Sequence, residues 1–238
     1  MIALLIKEEH FRNFYKTPII IKNKKFSHQI AQGLQIDSIW QDDMSSEELK
    51  EKMESIEIND NVNSIFAVPY IDHTRGISFF VLSTACLNGK DVEICKREEF
   101  DAISIFRKGD VNDSEFEYLE NLNTNPDFDL KDYKEFAKAV NNYYVNDKVE
   151  ALRYIDILDA SREPDYPDDL KAIFLKEGLQ SEVMWVRCEN LDENQQIEAT
   201  LLNTPYQDFG VKEGDEVKVF PYEIKDGEWV VICDLNNR

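Results

Sequence analysis

The spacing of apolar and polar positions divides the chain into strands, turns and a helical middle. Ile2–Ile6 is a short apolar run of the kind that forms a buried strand, and Pro18–Ile21 reads as a second. Phe26, Ile30 and Leu34 stand four apart on one face of a helix over Lys24–Leu34. Ser45-Ser-Glu-Glu48 is a capping box for a helix running to about Ile56, with Leu49, Met53 and Ile56 on one face. A meander follows, with a strand over Ser64–Tyr70, a turn over Asp72–Gly76 and a long strand over Ile77–Leu87. Phe79, Phe80, Val81 and Leu82 are apolar on both faces, which predicts a central strand. Asn88-Gly89 is a type I′ turn signal, and Lys90–Lys96 returns.

If Asn88-Gly89 fills both central turn positions, Leu87 faces Lys90, Thr84 faces Glu93 and Leu82 faces Cys95. Cys86 and Cys95 then lie four residues apart along the ladder, about 13 Å. A disulfide between them is excluded at that separation.

From Asp113 the chain is expected to turn helical. Asp129 caps a stripe of Tyr133, Phe136, Ala137, Val140 and Tyr144. Asp147 caps another, with Ala151, Leu152, Ile155 and Leu158 inward. Pro167, followed by Asp168 and Asp169, suits the first turn of a third helix that Gly178 would end. Alternation then returns. Val183–Glu189 and Gln196–Leu202 read as strands. Glu216–Ile224 and Glu228–Cys233 form a hairpin through Asp226-Gly227, with Pro221 marking an edge or bulge.

The expected fold is therefore α+β. Residues 1–180 hold a mixed or antiparallel sheet with helices, including an acidic helical segment over about 110–180. Residues 181–238 form a small antiparallel β-sheet or partly closed barrel.

Trp185, Leu201-x-Asn203-x-Pro205, Gly214-Asp215-x-Val217 and Ile224-x-Asp226 followed by Trp229 occur in that order in the last quarter. This series resembles the YegJ-like bacterial domain of unknown function. It departs from that pattern at Ala199, where the family tends to carry glycine, and at Gly227-Glu228, which separate Asp226 from Trp229. The resemblance implies a fold unit and carries no reaction. Trp185, Asn203, Asp215 and Trp229 are the candidate ligand or peptide contacts, because amphipathic rings beside polar turn residues make recognition surfaces. The competing reading of each is structural: an Asx turn at Asn203, a strand entry at Gly214-Asp215, and two large apolar rings.

Charge changes the picture most. There are 48 Asp and Glu against 27 Lys and Arg, a net −21. Met1–Leu34 carries +4 and Asp110–Leu170 carries −11. Such a surface repels nucleic acid and anionic membranes and attracts a basic protein or peptide. No run reaches the roughly 20 apolar residues of a membrane span. Cys86, Cys95, Cys188 and Cys233 lie in or beside apolar runs with no Cys-x-x-Cys pair, which predicts free thiols and a cytoplasmic protein.

Phosphate-binding glycine loops, a nucleophile elbow, zinc-ligand pairs and calcium loops are absent from the sequence, so no catalytic residue, cofactor or metal is expected. His73, after Asp72, reads as a surface turn histidine. The leading expectation is a non-enzymatic, immunity-type or adaptor protein that binds a basic partner through the acidic helical face around Asp110–Asp169. The alternatives are an enzyme with a carboxylate and aromatic cleft between the two parts, or a structural subunit of a homo-oligomer.

Overall fold

The structure is a computed structural model, and it describes residues 4–5, 10–25, 27, 61–95, 104–131, 133 and 147–236. The expected helices over 24–34 and 45–56 lie wholly or mostly outside these residues, as does most of the stripe over 133–144. The chain divides into two units: residues 1–72 with 77–143, and residues 73–76 with 144–238.

The first unit is built on an eight-stranded sheet. Its path runs β1 (Leu4–Leu5), β7 (Glu115–Tyr118), β2 (Ile19–Lys22), β3 (Ser64–Asp72), β4 (Gly76–Asn88), β5 (Asp91–Ile94) and β8 (Asn123–Thr124), while β6 (Ser104–Arg107) pairs with β4. Two short helices, α1 (Phe11–Phe14) and α2 (Lys108–Val111), connect these strands. Successive residues of the central strands enter different cores. Ile19, Ile21, Ile65, Ala67, Phe79 and Val81 form one, and Ile20, Phe66, Phe80, Leu82 and Ala85 form the other. The doubly apolar reading of Phe79–Leu82 follows from that: the strand is covered on both faces.

The hairpin register differs from the expectation. Asn88 pairs with Asp91, Leu87 with Val92 and Cys86 with Glu93. The two-residue loop is Gly89-Lys90, one position later than Asn-Gly implies. Gly89 has φ 62 and Lys90 has no positive φ, so glycine takes the first central position, as a type II′ turn requires. Cys86 and Cys95 become diagonal neighbours, and both are free. The expected helix from Asp113 is also corrected. Glu115–Tyr118 is a strand between β1 and β2, where Phe116 is buried.

The second unit is a closed five-stranded barrel. Strands β10 (Tyr166–Leu175), β11 (Glu182–Leu191), β12 (Ile197–Leu201), β13 (Glu216–Lys225) and β14 (Glu228–Asp234) pair antiparallel in sequence, and β14 closes on β10 in parallel. β9 (Arg162–Glu163) pairs with β10 outside the ring. Alternate residues fill the interior: Leu170, Ala172 and Phe174; Met184, Val186 and Cys188; Ile197, Ala199 and Leu201; Val217 and Val219; Val231 and Cys233. Leu152 and Leu158 join this core from helix α3 (Asp147–Leu152) and a 3-10 segment over Asp156–Ser161.

The third helix expected over Pro167–Gly178 is the barrel's first strand. Leu170, Ala172 and Phe174 keep a period of two, and that period fits the barrel while helical spacing does not. α3 is only six residues long, and Ala151 faces solvent instead of the core. Pro221 sits where β13 has left β12 and pairs only with β14, the edge position its missing N–H demands. Strands make up 49% of the described residues, among which the helices are few and short, so the described part of the protein is mostly β.

Candidate functional site

Two features of the barrel unit stand out: its outer face and a buried charge cluster.

Outward positions on a solvated barrel are normally polar. β12 and the start of β13 obey this, with Glu198, Thr200, Glu216 and Lys218. The other half does not. Val183, Ile173, Ile232 and Phe220 stand in one row across β11, β10, β14 and β13. One step along the strands, Trp185, Lys171, Val230 and Tyr222 make a second row. Val183 is 60% exposed and Tyr222 52%. Lys171 Nζ lies over the Trp185 ring, 5.0 Å from its centroid, so the one cation in these rows is also used in packing. Glu182, Glu223, Glu228 and Asp234 lie on the strand segments that carry or adjoin these rows.

The sequence-predicted residues divide around this face. Trp185 belongs to it. Asn203 supports it, because Asn203 Oδ1 accepts the Trp185 backbone N–H at 2.7 Å while the Leu202 N–H donates to the Trp185 carbonyl. Asp215 has a turn role: its carboxylate accepts the Lys212 N–H at 3.0 Å and its carbonyl accepts the Leu201 N–H. Trp229 stands opposite Glu223 in the β13–β14 hairpin. The structure thus brings Trp185 and Asn203 together and leaves Asp215 and Trp229 on other elements.

The charge cluster was invisible in the sequence. His73 is no free surface histidine; its side chain is 17% exposed and bridges two carboxylates. Nδ1 is 2.9 Å from Asp168 Oδ2 and Nε2 is 3.0 Å from Glu189 Oε2. Arg153, 1% exposed, donates twice to Asp168, at 2.8 and 2.7 Å. Arg187 holds Asp169 in the same bidentate way, at 2.7 and 2.9 Å. Thr200 Oγ1 donates to the other oxygen of Glu189 at 3.0 Å.

Hydrogen bonding to Asp168 raises the His73 pKa, against the opposing pull of burial. Burial pushes the Asp168 carboxyl up, but the bonds from Arg153 and His73 outweigh it and hold it below the usual range. For Asp169 burial wins, and its carboxyl is raised despite Arg187. Asp168 and Asp169, counted above in an acidic helical face, are thus strand residues already neutralised within the unit.

The first unit carries an open cavity of about 810 Å³, lined by polar residues that include Asn63, Asn88, Asp91, Glu93 and Asn125. Cys86 borders it, and burial pushes its thiol up to about 11, so it is not a thiolate nucleophile at neutral pH. Among the described residues no group of three or more His, Cys, Asp or Glu side chains is placed to hold a metal ion. Among the same residues no helix is long and apolar enough to cross a membrane.

No protein-family model, curated protein or solved structure matches the chain.

Proposed function

We propose that this protein is a non-enzymatic, immunity-type or adaptor protein of the cytoplasm that binds a basic protein or peptide through the apolar half of the barrel. The observation that supports this most is the pair of outward rows, Val183–Ile173–Ile232–Phe220 and Trp185–Lys171–Val230–Tyr222. Contiguous exposed apolar surface is a mark of an interaction site. The net charge of −21 and the carboxylates of Glu182, Glu223, Glu228 and Asp234 select a basic occupant and repel a second copy of the chain. The resemblance of the last quarter to the YegJ-like domain fits a recurring barrel unit and adds no reaction.

The test uses an amphipathic Lys/Leu peptide as probe, titrated into the full chain by calorimetry. Binding is expected to weaken with salt and to be lost in Phe220→Asp and Val183→Asp, whose melting temperatures stay close to wild type. Affinity unchanged by both substitutions would remove this face from the reading. Affinity unchanged by salt would remove the electrostatic selection.

A further inference from the structure

The turn joining β3 to β4, His73–Gly76, belongs with the barrel, and contacts at His73 and at Gly76 help hold it there. One is the His73 bridge to Asp168 on β10 and Glu189 on β11. The other is backbone packing at Gly76. A Cβ added there would lie 2.2 Å from the Asp165 carbonyl oxygen, and φ is +77. Only glycine fits that approach.

We propose that His73 is a proton-controlled latch that holds this turn on the barrel. The charge balance of the cluster motivates it. Asp168, Asp169 and Glu189 supply three negative charges, and Arg153 and Arg187 supply two positive ones. Among these six side chains the charges balance when the imidazole is protonated. The geometry makes the same demand, because both ring nitrogens face carboxylates and a neutral imidazole has one N–H to give.

The structure also identifies the part that moves. Asp168 is buried and fixed twice by Arg153. Glu189 has a side chain 42% exposed and keeps the Thr200 hydroxyl as a partner. On deprotonation Nδ1–H stays with Asp168. The Nε2 lone pair then faces Glu189, which swings toward water, so the turn loses its tie to β11 and keeps the Asp168 bond and the Gly76 contact. Asp169 stays with Arg187 throughout.

The sign follows from the raised folded-state pKa. The latch is fully closed below the ordinary histidine value of about 6.5. It opens as pH rises through the higher folded value.

The experiment is carried out on the full chain, with His73 titrated by NMR and hydrogen exchange followed at residues 73–76 after correction for intrinsic rates. The expected result is a His73 pKa above 6.5. Turn protection should fall by up to about tenfold per pH unit between 6.5 and that value. Glu189→Gln, which keeps the shape and removes the charge, should lower the His73 pKa and flatten the protection profile. A His73 that titrates at or below 6.5 overturns the latch. So does turn protection that stays constant through its titration, or a Glu189→Gln protein with an unchanged profile.

Discussion

Arg153→Met tests whether the charge cluster stabilises the barrel unit. The guanidinium is 1% exposed and makes two bonds of 2.8 and 2.7 Å to Asp168, itself 2% exposed. Removing it leaves a buried carboxylate with His73 as its remaining charged partner. Breaking one side of a buried pair costs about 3–5 kcal/mol. The surviving His73 bond places the expectation at the low end, about 3 kcal/mol. For a unit of roughly 100 residues that lowers the melting temperature by about 12 °C or more.

The assay is urea unfolding followed by tryptophan fluorescence, since Trp185 and Trp229 both report on the barrel. Asp168→Asn removes the stranded charge, so Arg153→Met/Asp168→Asn should recover most of the loss, with a coupling of about 2 kcal/mol. A single-variant cost under about 1 kcal/mol, or a coupling under about 0.5 kcal/mol, refutes the reasoning. The pH dependence has a fixed sign. The depressed Asp168 pKa gives stability that is present above the ordinary carboxylate value and lost as pH falls through the folded one.

Three more outcomes are expected. Gly76→Ala should cost at least about 2 kcal/mol, from the Asp165 carbonyl clash together with the positive φ, and a calorimetric melt close to wild type would contradict the turn geometry. Asn203→Ala should cost about 1–2 kcal/mol by leaving the Trp185 N–H without its acceptor, read in the same urea titration; a neutral result would show that water replaces the amide. Cys86 should react with iodoacetamide far more slowly at pH 8 than an ordinary thiol does, because burial holds it near 11; labelling at the rate of free cysteine would show an open site.

Alternation made most of the strands legible. Met184, Val186 and Cys188, and likewise Ile197, Ala199 and Leu201, point inward at every second position, and their neighbours are polar or outward. The same alternation ran through Leu170–Phe174. Pro167 and the two aspartates imitate a helix start strongly enough to mask it. Asp168 faces Arg153 here, and no local rule anticipates a buried acid at the start of a strand. The hairpin was legible and its register was not, since Asn-Gly serves a type II′ turn one position later as readily as type I′. The His73 cluster had no local signal. Its partners lie 95 and 116 positions away, and only the fold brings them together.

The parallel pairing of β10 with β14 has a consequence for how the barrel forms. Ala172 pairs with Met184 on one side and finds its partner on the other only when Val231 is available, so the ring stays open until β14 is in place. Until then β13 and the Ala172–Leu175 stretch of β10 are two open edges with apolar outward residues beside them, available for pairing with another chain. A chain shortened before Glu228 keeps both edges permanently. Misassociation is therefore a risk until β14 has been made, and the closing strand determines when that risk ends.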